Sequence, residues 1–142
     1  IVVGGRGSHR TPILAGRYAD EYNVYPAEPD EMRARIELAR GAAAEAGRDP
    51  DALLISSAGA VLAGHDQADY EERLAAAATE SGITVEELEE HFALRNTPRG
   101  PADAVVDQLA SMAGLGVGRF YLQAGGLDDL EAIDETLTMI GG

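Results

Sequence analysis

The chain has 142 residues, 45% of them hydrophobic and 25% charged, enough for one domain with its own core. Its 25 acidic residues against 11 basic ones give a net charge of −14, which argues against a nucleic-acid partner. The basic residues are all arginine, and their pairs (Arg6 with Arg10, Arg95 with Arg99) are too sparse to track a phosphodiester backbone.

In chain order, the first strand signal is "IVVGG", ending in a loop with Gly4, Gly5 and Gly7, followed by Arg6, Ser8, His9 and Arg10. A helix is predicted from Thr11 and Pro12, with threonine as cap and proline at the first helical position, through Ile13, Leu14 and Tyr18 to Ala19. "EYNVY" (Glu21 to Tyr25) is the second strand. The next helix opens at Pro29 with Asp30 and Glu31 in its first turn, aligns Met32, Ile36, Ala39 and Ala43 on one face, and stops at Gly47.

"LLISSAGAVLAG" then reads as a third strand, followed by two short helices between Ala68 and Leu94. Thr84 and Glu87 form a capping-box pattern at the start of the second, which buries Leu88 and Phe92. A helix from Pro101 buries Val105, Val106, Leu109 and Met112, "GLGVG" follows, and "RFYLQ" (Arg119 to Gln123) is the fourth strand. The last helix is expected to be capped by Asp128, to place Leu130, Ile133, Leu137 and Ile140 on one side, and to end at Gly141 and Gly142.

Strand followed by helix, four times, defines an α/β protein with a parallel sheet, and four units are half of what a closed (β/α)8 barrel needs. In such a unit the strand's C-terminal end and the next helix's N-terminus face the ligand, so the glycine loop is a candidate phosphate cradle. Glycines let backbone amides approach an anion, and Arg6, Ser8, Arg10 and Thr11 add side-chain donors. The same glycines also serve a turn that merely reverses the chain.

Other chemistry finds little support. The absence of cysteine excludes a disulfide framework and a thiolate metal site, and His9, His65 and His91 lack acidic partners at ligand spacing, so no metal is expected. His9 lies in the loop, where a solvent-facing turn position accounts for it. Neither a GxSxG elbow nor a Walker loop is present, and pairs such as Glu71 and Glu72 read as solvated helix faces. No apolar run is long enough to span a bilayer and "IVVGG" is no signal peptide, so a cytoplasmic location is the default. Because the chain begins with Ile1, sequence upstream is expected to be missing.

Three blocks in order, "VVGGRGSHRTPILAGRYADEYN", "AGRDP" and "GPADAVVDQLASMAGLGVGRFYLQ", resemble the C-terminal half of the luciferase-like family that contains bacterial luciferase and the F420-dependent oxidoreductases. The resemblance implies a (β/α)8 TIM-barrel fold of which this chain covers strands five to eight, with the N-terminal half and much of the catalytic cleft absent. It further implies that Gly4, Gly5 and Gly7, with Arg6 alongside, cradle the phosphate of the cofactor's ribityl chain, and that Asn23 lines the same mouth. The wording of "GGRGSHRTP" and "ADEYN" places coenzyme F420 first and FMN second. The implied activity is hydride transfer between a deazaflavin and an organic substrate; the alternatives are an FMN-dependent monooxygenation, or a truncated half-barrel fragment that is catalytically inert. The catalytic residues are unknown and the substrate is a small molecule.

A half-barrel leaves two sheet edges unpaired, and the inner apolar face around Val3, Val24, Ile55 and Tyr121 is expected to lie open. The chain is therefore expected to form a homo-oligomer or to associate with the missing N-terminal half.

Overall fold

The computed structural model describes residues 1–123 and 130–141. In chain order the elements are β1 (Val2–Gly5), α1 (Arg10–Tyr18), β2 (Glu21–Val24), α2 (Pro29–Glu45), a single 3-10 turn (Pro50–Ala52), β3 (Leu54–Gly59), β4 (Leu62–Gly64), α3 (Gln67–Ser81), α4 (Val85–Leu94), β5 (Arg99–Pro101), α5 (Ala102–Gly114), β6 (Arg119–Leu122) and α6 (Leu130–Gly141). They group into two compact units, Ile1–Gly59 with Met112–Tyr121, and Ala60–Ser111 with Leu122–Gly142.

The first unit is a four-stranded sheet in the order β1-β2-β3-β6. β1 pairs with β2 and β2 with β3 in parallel, in a register that aligns Val3, Tyr22 and Ile55 in one row and Gly4, Asn23 and Ser56 in the next. Because side chains alternate across a strand, Val3, Tyr22, Val24 and Ile55 share one face and Val2, Gly4, Glu21, Asn23, Leu54 and Ser56 the other. α1 and α2 pack on the first of these faces, where Tyr22, Val24 and Ile55 are fully buried.

This reverses the expectation for the open face. Val24 and Ile55 are covered by the chain's own helices, Val3 lies on the same side, and only Tyr121 stands on the opposite, polar face. The physical reason is parity: in "EYNV" every second residue is apolar, and the apolar set turns toward the amphipathic helices that can bury it.

α1 and α2 meet backbone to backbone. A Cβ at Gly16 would stand 2.1 Å from the carbonyl oxygen of Ala39 and 2.9 Å from Ala42 Cβ, so only glycine allows this approach. Arg48 then donates from Nη1 to Gly16 O and from Nη2 to Ala19 O, each at 2.5 Å, satisfying carbonyls that the end of α1 leaves without partners. The helix begins at Arg10, earlier than expected, with Pro12 still inside the first turn where its missing N–H costs nothing.

In the second unit β4 and β5 pair in parallel, and Tyr70, Leu74, Ala78 and Leu88 form its core. The Asp66 side chain accepts from Asp69 N to open α3, and Gly82, in the left-handed region at φ 68°, closes it. The capping box at α4 is present in both directions, Glu87 N to Thr84 Oγ1 at 3.2 Å and Thr84 N to Glu87 Oε2 at 2.9 Å. Glu89 joins the core to β5 by accepting from Tyr70 Oη and Arg99 Nε, each at 2.7 Å; burial foremost, then this carboxylate, pushes the Tyr70 phenol up to about 12.

The third strand of the sequence reading divides between the two sheets, as β3 and β4. β5 has no sequence signal, since Arg99–Gly100–Pro101 carries the residues least suited to a strand. The expected cap Asp128 lies outside the described residues.

Gly16→Ala is expected to lower the stability of the chain by about 1–3 kcal/mol through overpacking at the α1–α2 contact. Chemical denaturation followed by circular dichroism checks this, and an unchanged midpoint contradicts the backbone contact.

Candidate anion-binding site

The loop between β1 and α1 is built to leave donors open. Residues Gly4 to Arg10 are all exposed, and the amides of Gly7 and Ser8 donate to no backbone carbonyl among the described residues. His9 occupies the N-cap of α1 without a side-chain cap, and the first backbone bond of the helix runs from Ile13 N to His9 O. Pro12 has no N–H, so the first turn, which contains no acidic residue, presents the amides of Arg10 and Thr11. Free amides, the positive end of the helix dipole, and the charges of Arg6 and Arg10 all favour an anion here.

Each glycine has its own reason. Gly5 has φ 146°, a conformation closed to other residues. A Cβ at Gly7 would stand 2.5 Å from Thr11 Oγ1, and one at Gly4 would stand 3.2 Å from Asn23 Cβ. The structure thus brings Gly4 and Asn23 side by side across β1 and β2, while Gly5 and Gly7 close around the Thr11 side chain.

Arg6 is held differently from the rest of the loop. Its guanidinium lies over the Tyr25 ring, 4.9 Å from the centroid, where stacking leaves its in-plane donors unblocked. Tyr25, just past the end of β2, was not singled out from the sequence; the pairing of an arginine in one βα loop with an aromatic in the next was its only signal.

A second polar group, also missed, lies on the open face of the same sheet. Ser56 Oγ, fully buried, donates to Glu21 Oε1 at 2.6 Å and accepts from Asn23 Nδ2 at 3.0 Å. Tyr121 Oη donates to Glu21 Oε1 at 3.0 Å, and Arg119 Nη1 approaches Glu21 Oε2 at 3.3 Å. Glu21 is 7% exposed under these two side chains. Its carboxyl is held below the ordinary glutamate range, chiefly by the Ser56 hydrogen bond, then by Tyr121 and Arg119, against the opposing effect of burial. The signal was the run of polar residues at every second strand position.

Among the described residues no three His, Asp or Glu side chains are grouped to hold a metal ion, and no helix is long and apolar enough to cross a membrane.

A glycine loop at the C-terminal end of a strand, opening a helix in a parallel βα sheet, is the phosphate-binding arrangement of α/β barrels and doubly wound sheets. The chain belongs to the luciferase-like monooxygenase family, whose pattern matches residues 1–114. No curated protein matches the chain.

Among solved structures it is similar to the coenzyme F420-dependent tetrahydromethanopterin reductase of Methanopyrus kandleri at 19% identity and TM-score 0.68, over 96% of this chain and 48% of that one. It is also similar to a long-chain alkane monooxygenase at 16% identity and TM-score 0.74, over 99% of this chain and 40% of that one. A third is the oxygenating constituent of 3,6-diketocamphane monooxygenase from Pseudomonas putida, in complex with FMN, at 17% identity and TM-score 0.73, over 99% of this chain and 46% of that one. These likenesses establish a fold of the luciferase-like TIM-barrel type, of which the chain spans about half.

Glu21 supplies a pH dependence of stability. Its folded pKa lies below the unfolded value, so the contribution is present in full above the ordinary glutamate range and is lost as pH falls through the lowered folded value. Glu21→Gln is expected to flatten the acid limb of a plot of denaturation midpoint against pH, and an acid limb identical in the variant contradicts this.

Proposed function

We propose that this chain supplies strands five to eight of a (β/α)8 barrel enzyme and that the β1–α1 loop holds the phosphate of its flat, ribityl-bearing cofactor. The observation that carries the reading is the set of open amides at Gly7, Ser8, Arg10 and Thr11, in a loop that folds so closely on Thr11 that a Cβ at Gly7 would stand 2.5 Å from its Oγ1. Gly4 keeps the strand end free of side chain next to Asn23, and Arg6, stacked on Tyr25, is within the same loop to add charge-assisted hydrogen bonds.

Coenzyme F420 is ranked first, on the arginine-rich "GGRGSHRTP" loop, and FMN second. Either cofactor, when bound, supplies the hydride chemistry, exchanged with a small organic substrate. The part of this chain is to bind the phosphate and orient what is attached to it. The sheet edges support association: Val2 in β1 is 63% exposed and Tyr121 in β6 is 41% exposed. The chain therefore pairs either with an N-terminal half-barrel or with a second copy of itself.

Three outcomes follow. Titrating inorganic phosphate into the 15N-labelled chain is expected to shift the amides of Gly7, Ser8, Arg10 and Thr11, and Gly7→Val to abolish those shifts; shifts spread evenly over the chain contradict the site. The chain alone is expected to leave F420H2 and reduced FMN unconsumed, and turnover by a verified 142-residue preparation contradicts the half-barrel reading. Light scattering after size exclusion is expected to give at least twice the 14.9 kDa monomer mass, and a stable monomer at high concentration contradicts the account of the edges.

A further inference from the structure

The hydrogen bonds on the open face of the sheet run in one direction, and that direction can be worked out. Glu21, ionised, only accepts. The Ser56 hydroxyl has a single proton, and with Glu21 Oε1 at 2.6 Å that proton goes to the carboxylate. Ser56 Oγ is then left as an acceptor, so the Asn23 group facing it at 3.0 Å must be the amide NH2. Asn23 Oδ1 is consequently turned away from Ser56, toward Gly4, where it has no hydrogen-bond partner among the described residues. Tyr121 and Arg119 hold the carboxylate from β6, so Glu21 cannot swing out of the chain of bonds.

We propose that Glu21, acting through Ser56, is a positioning residue that fixes the Asn23 amide with its oxygen toward the ligand, so that Asn23 receives a hydroxyl or N–H of the bound molecule rather than its phosphate. An Oδ1 presented in this way repels phosphate and carbonyl oxygens and accepts only from a donor. The register supports a division of labour: Asn23 pairs with Gly4 in β1, two residues before the loop begins at Arg6, so it meets the part of the ligand next to the phosphate. Glutamate, serine and asparagine on two adjacent strands thus select the polarity of one hydrogen bond. The inference rests on the reading of the loop as a phosphate site and deepens it.

The test uses the full 15N-labelled chain and the variants Glu21→Gln, Glu21→Met and Ser56→Ala, with inorganic phosphate, FMN and F420 as probes. In the unmodified chain one side-chain amide proton of Asn23 is expected to be protected from exchange. Glu21→Gln keeps an acceptor for Ser56 and retains that protection; Glu21→Met and Ser56→Ala lose it. FMN and F420 affinities are expected to fall about tenfold in the latter two variants and to be retained in Glu21→Gln, with phosphate affinity the same in all four proteins. Ser56→Ala also guards against misfolding of Glu21→Met, since it leaves the contacts of Glu21 with Tyr121 and Arg119 in place. Unchanged protection of the Asn23 amide in Glu21→Met and Ser56→Ala overturns the proposal, as does a parallel loss of phosphate affinity, which makes Asn23 a phosphate ligand. If phosphate fails to shift Gly7 and Ser8 in the unmodified chain, the loop reading fails; the Asn23 orientation is judged separately, without ligand, from the amide protection.

Discussion

The register of β1, β2 and β3 is the constraint on which the rest depends. Parallel pairing of Gly4 with Asn23 and of Asn23 with Ser56 fixes, at once, which side chains meet the helices and which line the open face. A slip by one residue would exchange the two sets, setting Glu21, Asn23 and Ser56 against α1 and α2 and exposing Tyr22, Val24 and Ile55. The helix side of that choice is enforced by burial of large side chains, at roughly 1.5–3 kcal/mol for each. The polar side is enforced by the bonds among Glu21, Asn23, Ser56 and Tyr121, because a buried carboxylate without partners is costly.

From the register follows the placement of the loop. β1 delivers Gly5 at the end of the sheet, and α1 must then turn back over the apolar face, close enough to α2 for Gly16 to touch its backbone. Arg48 locks the far end of α1 onto the segment that follows α2. The near end is left uncapped. Two helices held rigidly at one end and a helix N-terminus left open at the other is how a stable scaffold presents unsatisfied donors to a ligand.

Much of this was legible in the sequence. The faces of α2 and α4 follow from spacing, with Met32, Ile36, Ala39 and Ala43 buried as the pattern requires, and the capping box of Thr84 and Glu87 is local chemistry that needs no tertiary context. The glycine loop was legible as a candidate because only a few residue types tolerate its conformation. The parity of the strands was not, since alternation says that two faces differ without saying which one receives the helices; Val3, Val24 and Ile55 were misplaced for that reason. β5 was invisible because its pairing with β4 is set by position in the chain rather than by strand-forming residues. The Arg48 clamp and the Glu21 network join residues about 30 to 100 positions apart in sequence, and no local pattern encodes such contacts.

The central claim is that the uncapped start of α1 recognises a phosphate. The most direct measurement is the dissociation constant, for the full chain, of F420 and of FMN, each set against the same ring system without its phosphate. The account predicts that the phosphorylated form of at least one of the two binds about tenfold tighter or more, as loss of charge-assisted hydrogen bonds to several amides requires. Equal affinities with and without the phosphate for both ring systems contradict it.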